Sequence, residues 1–231
     1  MKTCVLHVHT WYSYDCAYDP RRLVDLAAAS KVDYLLLCDH DSIEGSMVAR
    51  SYAKAAGLPV EIPIAAEYVT DVGDIIVVGV PESFEKVLEH GRLCRRVHEF
   101  GGHTMLPHPY HGHALDALDF TVIDAIEVFN SRRPLSDNRK AVDLALREGK
   151  WMVYGADAHR ARDMLNAMSI FDGPSPFVCP SYPIRLRETA TRYIALSQIV
   201  KGLKRRDFRL TMGSLLGYMR WSFRDALARD L

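Results

Sequence analysis

Short apolar runs alternate with longer amphipathic ones through most of the chain. Strand-like runs fall at 4–8, 33–38, 60–66, 74–80, 103–107, 122–129 and 151–156. Several are rich in Val, Ile and Leu without polar alternation, as parallel strands buried on both faces are. Helical patterns fall between them at 20–30, 44–56, 82–100 and 136–149. Pro20 suits a first helical turn, and Gly57 and Gly149 suit helix ends. This alternation predicts βαβ units and an α/β fold around a parallel sheet. Seven strands fit a closed or nearly closed barrel better than an open sheet.

The pattern changes after residue 171. Gly173, Pro174, Pro176, Pro180 and Pro183 crowd a short stretch, which predicts a connector over 172–184. Two helices are expected beyond it, over 185–203 and 207–229. The second carries Leu210, Leu215, Leu216, Met219 and Phe223 among Arg209, Arg220 and Arg224. The expected organisation is a body over 1–171, the connector, and a helical extension over 185–231 packed on the body.

Charge sharpens that division. The 231 residues have zero formal net charge, yet residues 180–231 hold 11 Lys+Arg against 4 Asp+Glu. The tail is therefore +7 and the body −7. An acidic body suits a protein that holds cations; a basic tail could meet phosphate, nucleic acid, an anionic surface or the body itself. Five scattered cysteines without a C-x-x-C pair argue against a disulfide framework and for a reducing compartment. With no signal-like segment and no long apolar run, a soluble, cytoplasmic protein without a membrane span is expected.

Histidines and carboxylates recur at strand ends. His7 and His9 lie two apart in an apolar run, so a regular strand would turn both to one side. The run 34–38 leads into Asp39-His40-Asp41, and 151–156 leads into Asp157-Ala158-His159. Glu67 follows 60–66, where a buried carboxylate calls for a cation. His108 follows 103–107, and Glu127 sits at a sixth strand end. In barrels of this kind chemistry collects at the carboxyl ends of strands. Imidazole and carboxylate together are ligands for zinc, manganese or iron. Asp15 follows His9 by six residues and is a ligand candidate. Asp39 and Asp41 are expected to orient a ligand ring or cap the next helix. His111 and His113 are expected at the pocket rim or facing solvent; His90, His98 and His103 are expected to be structural. Arg160 first, then Arg132 and His111, are the substrate-binding candidates, because a guanidinium can hold phosphate bidentately. Trp11 and Tyr12 could stack on a ring or pack in the core. The nucleophile elbow G-x-S-x-G and the phosphate loops G-x-G-x-x-G and G-K-[ST] are absent from the sequence.

Four segments together resemble the PHP (polymerase and histidinol phosphatase) family: His7-Val8-His9-Thr10-Trp11-Tyr12-Ser13-Tyr14-Asp15, Cys38-Asp39-His40-Asp41-Ser42, Leu106-Pro107-His108-Pro109 and Gly155-Ala156-Asp157-Ala158-His159-Arg160. They cover about residues 1–165; the basic tail lies outside. The resemblance implies a distorted seven-stranded, TIM-like (β/α) barrel with two or three divalent metal ions at its mouth. It also implies hydrolysis of a phosphate monoester or diester by a metal-activated water. It places metal positions on His7, His9, Asp15, His40, Glu67, His108, Asp157 and His159, with another on Glu127. On this expectation His7, His9, Glu67 and Asp157 hold one ion, and Asp15, His40 and His159 complete a second that shares Glu67. The substrate would be a small phosphorylated metabolite or nucleotide. Two other readings stand beside it: a nuclease or nucleic-acid-binding module using the basic tail, and an amidohydrolase-like C–N hydrolase.

Overall fold

Local signals set several helix ends in the computed structural model, which describes residues 1–84 and 89–227, with side chains to 224. Asp19 caps α1 (Pro20–Ala29), its carboxylate accepting from the Arg21 N–H at 2.9 Å, with Pro20 at the first helical position. Gly149 ends α4 (Leu135–Glu148) in the left-handed region, φ +62°. The other helices are α2 (Glu44–Ala55), α3 (His90–Glu99), α5 (Thr191–Arg205) and α6 (Phe208–Leu227). Of the helix expected over 82–100, residues 85–88 lie outside the described residues, as do 228–229 of the last one.

Among the described residues one mixed sheet has nine strands. They are β1 (Lys2–Val8), β2 (Tyr34–Leu37), β3 (Ala65–Thr70), β4 (Gly73–Val78), β5 (His103–Leu106), β6 (Ala125–Asn130), β7 (Trp151–Ala158), β8 (Ala167–Phe171) and β9 (Ser181–Leu186). Their order is β3-β4-β5-β6-β7-β1-β8-β9, with β2 paired to β1. The expected seven-stranded parallel barrel is therefore corrected in three ways. First, β4 runs antiparallel to both β3 and β5, because a tight turn at Asp71–Gly73 folds β3 straight back into it. Second, β8 and β9 extend the sheet; β9 begins inside the stretch expected to be a connector and carries Pro183 at the end of the strand order, where a missing N–H costs no ladder bond. Third, β2 and β3 meet only through the isolated bridges Tyr34–Glu61 and His40–Glu67, so no continuous ladder closes the ring.

Side-chain parity organises the interior. Leu6, Leu36, Ala65, Ile76, Met105, Ala125 and Val153 share one buried apolar cluster. The opposite parity packs outward under the helices: Val5 and Leu35 with Leu23, Val24 and Ala49, and Val77 and Ile126 with Leu93, Val97 and Leu144. Each fully buried Leu or Ile contributes about 1.5–3 kcal/mol. All five cysteines are free and buried. No described helix is long and apolar enough to cross a membrane.

Candidate metal centre

Following the interior parity toward the carboxyl ends of the parallel strands, the apolar floor gives way to charge. Tyr34, Leu36 and Cys38 are succeeded by His40, Ala65 by Glu67, Ala125 by Glu127, and Val153 and Gly155 by Asp157. In β1 the parity changes. The pairing of β1 with both neighbours shifts register before Val8, and His7 has φ +61°. Val8 thereby packs outward while His7 and His9 both enter the cluster. The two histidines share a side because of a bulge, not through plain alternation. Asp41, His108 and Asp157 also have positive φ, at 52°, 29° and 45°. Such backbone is costly for non-glycine residues and concentrates at functional sites.

The side chains converge. Glu67 Oε2 lies 3.5 Å from His7 Nε2, 3.4 Å from His9 Nε2 and 3.3 Å from His40 Nδ1. Asp157 Oδ1 is 3.7 Å from His9 Nε2 and 3.9 Å from His7 Nε2. Asp15 Oδ2 is 3.0 Å from His159 Nε2 and 3.5 Å from His40 Nε2. His108 Nε2 is 3.2 Å from Glu67 Oε1. His9, Asp15, His40 and His159 form one group with donor atoms within 4.8 Å of one another; His7, His9 and Glu67 form another, as do His7, His108 and Asp157.

Several of these atoms are buried without a hydrogen-bond partner among the described residues: His7 Nε2, His9 Nε2, His40 Nδ1, Glu67 Oε2 and His159 Nε2. Unpartnered buried polar atoms are costly and rare. Here they face one another at the spacing that two ligands of one tetrahedral ion adopt, about 3.4 Å for bonds of about 2.1 Å. The residues present fit divalent cations.

Imidazoles and carboxylates hold one another's charges: against burial, the surrounding carboxylates raise His7 and His108 above their ordinary values and His40 to about 9. Burial pushes Glu67 toward the neutral form, but His40, His7 and the hydrogen bond from His108 hold its carboxyl well below the usual range. Burial likewise opposes ionisation of Asp15, and His159 with His40 overcomes it, leaving the carboxyl far below normal. Burial first, then His159 and His40, push His9 well below its ordinary value.

Surrounding contacts fix the donors. Glu127 Oε1 is 2.8 Å from His7 Nδ1, and its Oε2 accepts from the His108 N–H at 2.7 Å and from Asn130 Nδ2 at 2.9 Å. Both its oxygens are thus occupied away from the converging atoms, which corrects the expectation that Glu127 is a ligand. Asp39 neither orients a ring nor caps a helix. Its carboxylate accepts from the Thr10 N–H and hydroxyl, each at 2.6 Å, and anchors the loop after His9. Asp41 does not cap α2; its carboxylate accepts from the Val69 N–H at 3.3 Å. Trp11 and Tyr12 are exposed, outside the core.

An open cavity of about 380 Å³ lies over the cluster. Arg132 and His111 line it, as does Arg133. Arg160 does not. Its guanidinium sits 3.4 Å from the centroid of the Tyr193 ring and 3.6 Å from Asp163, so the first-ranked phosphate arginine is turned into a structural contact. Three contributors were missed. Asp74 shares a donor group with Glu67 and His108, and burial with the nearby Glu67 pushes its carboxyl up to about 6. It lies at the amino end of β4, which reaches the site because that strand is antiparallel. Gln198 and Lys201 of α5 also line the cavity; nothing in a surface-type helical pattern marks them.

No family model matches the chain. It is 30% identical over 142 residues to the uncharacterized protein MJ1587 of Methanocaldococcus jannaschii, covering 54% of this chain and 80% of that one. It is also 30% identical over 173 residues to MJ0417 of the same organism, covering 70% and 67%. Among solved structures, PsfC from Pseudomonas syringae superposes with TM-score 0.63 and 18% identity, covering 88% of this chain and 99% of that one. A two-domain protein from Bacteroides vulgatus, containing a predicted PHP-like metal-dependent phosphoesterase, gives TM-score 0.59 and 16% identity over 74% of this chain; this chain spans only 58% of that longer protein. An amidohydrolase from Chromobacterium violaceum, solved with sulfate and no metal, gives TM-score 0.54 and 18% identity over 77% and 93%.

Proposed function

We propose that this chain, which belongs to one family with MJ1587 and MJ0417 and has the fold of PHP-like metal-dependent phosphoesterases, hydrolyses phosphate esters with divalent cations held by His7, His9, Asp15, His40, Glu67, His108, Asp157 and His159. The observation that carries this is the set of buried, mutually facing donor atoms without partners among the described residues, brought together from four strands and the loops that follow them. When bound, such cations supply Lewis acidity and make water a competent nucleophile near neutral pH.

The chain's own residues do the rest. Glu127 accepts the proton on His7 Nδ1 and leaves the Nε2 lone pair turned inward. Asn130 donates to both Glu127 and Asp157, at 2.9 and 3.2 Å, and locks the two carboxylates in one arrangement. Arg132 donates to Ser197 Oγ at 2.7 Å and to the His159 ring, so its guanidinium is held at the cavity wall where a phosphate oxygen would need a counter-charge. His111 lies at the rim, where it can meet the substrate. The buried free cysteines suit a reducing, cytoplasmic setting. Zinc, manganese and iron all fit this donor set.

The test is turnover of p-nitrophenyl phosphate, measured after loading with Mn²⁺ or Zn²⁺ and again after chelation. Hydrolysis that chelation abolishes and metal restores supports the proposal. Cleavage of cyclic amides with inert phosphate esters would instead favour the C–N hydrolase reading.

A further inference from the structure

α5 lies outside the segments that resemble the PHP family, yet it forms part of the wall of the cavity. Ile194, Gln198 and Lys201 reach that space from successive turns. The helix is tied down there. Lys204 Nζ donates to the carbonyls of Trp11, Ser13 and Cys16, each at 2.7 Å, and Ser197 accepts from Arg132. Lys201 Nζ lies 4.9 Å from the centroid of the Tyr14 ring, which in turn stacks on His40 at 4.5 Å with an interplanar angle of 5°. The register of α5 over the mouth is thus fixed by contacts to the loop that carries Asp15.

The cations along this wall are not equivalent. Arg132 is anchored by Ser197 and His159 beside the donor cluster, where it serves the first phosphate, and Lys204 is committed to three carbonyls. Lys201 meets only the Tyr14 ring among the described residues. Arg133, also on the cavity, keeps a buried Nε without a partner. A phosphate held at the donor cluster leaves room in the cavity, and the rest of the substrate must then contact these side chains. An ammonium left without a counter-ion at a cavity wall binds an anionic group by a charge-assisted hydrogen bond.

We propose that Lys201 of α5, with Arg133 on the same cavity, forms a second anion-binding wall, and that the substrate is a phosphate ester whose alcohol part carries a further anionic group. This rests on the phosphoesterase reading for its first phosphate. It gives the basic tail a role inside the site.

The experiment is equilibrium binding by titration calorimetry to the full chain as purified. The probes are glycerol phosphate, phosphoglycerate, in which a carboxylate is added, and propanediol bisphosphate, in which a second phosphate is added. The wild type should bind one or both doubly anionic probes about tenfold more tightly than glycerol phosphate. Which of the two gains more identifies the anion. Lys201→Met should reduce that preference to within about twofold, while Lys201→Arg should keep it. The thermal unfolding midpoint of each variant guards against misfolding. Equal binding of all three probes to the wild type, or a preference that survives in Lys201→Met, overturns the proposal. A Lys201-dependent preference in a protein that, loaded with Mn²⁺ or Zn²⁺, hydrolyses neither these probes nor p-nitrophenyl phosphate would keep the anion wall and defeat the phosphoesterase reading instead.

Discussion

Glu127 Oε1 accepts from His7 Nδ1 at 2.8 Å, and this one contact decides which ring nitrogen His7 presents to Glu67. A carboxylate behind a ligating imidazole fixes its tautomer and raises its basicity. Glu127→Ala would release the ring and strip the His108 N–H of its acceptor. Metal affinity should fall about 10- to 100-fold, read by competition with a chromogenic chelator. Unchanged affinity would reduce Glu127 to a packing role.

Gly155 leaves the space this carboxylate needs. A Cβ there would overlap the Glu127 carboxylate, with Cδ only 2.7 Å away and His7 Cβ at 3.1 Å. Both are held by hydrogen bonds and neither is a flexible end. Gly155→Ala should therefore cost about 1–3 kcal/mol in chemical denaturation and weaken metal binding with it. A variant of wild-type stability and metal affinity would show that the strand shifts freely.

Lys204 should act as a clamp on the loop carrying Asp15. Its ammonium occupies three carbonyls that Met cannot satisfy. Lys204→Met should lose about 1 kcal/mol, which lowers the unfolding midpoint of a chain this size by about 2–4 °C. Hydrolysis should fall further than stability does, because the loop positions Asp15. A variant with the same midpoint and turnover would contradict the clamp.

Most of the donor set was legible because it follows a simple rule: imidazole or carboxylate one step beyond a buried apolar strand. His40, His108 and His159 obey it and converge; Glu67 and Asp157 join them from within β3 and β7, because β3 begins at Ala65 rather than at 60 and β7 runs on to Ala158. Glu127 lies inside β6 and faces inward by parity, but sequence cannot show that its oxygens are occupied by His7, His108 and Asn130. Asp74 escaped because it precedes its strand, and only the antiparallel course of β4 brings that end to the site. The strand count failed at β8, a short run given no element, and at β9, which begins inside the proline-rich stretch that reads as connector; pairing with β1 and β8, a long-range contact, makes them strands. Arg160 failed because Tyr193, more than thirty residues later, captures it.

The two arginines should separate in kinetics. Arg160→Met should leave KM for a phosphate ester within about twofold, since its guanidinium lies on Tyr193 and outside the cavity. Arg132→Met should raise KM or lower kcat/KM by about tenfold or more. The reverse order would restore Arg160 as the phosphate ligand.

The most direct measurement is metal content per chain, by elemental analysis of the protein purified without chelator, in the wild type and in Glu67→Ala. Glu67 touches donor atoms of His7, His9, His40 and His108, so it joins every part of the centre. The account predicts bound zinc, manganese or iron in the wild type and a marked loss in the variant, with loss of hydrolysis. A metal content unaffected by Glu67→Ala, or a wild type that takes up no divalent ion when offered it, would contradict the account.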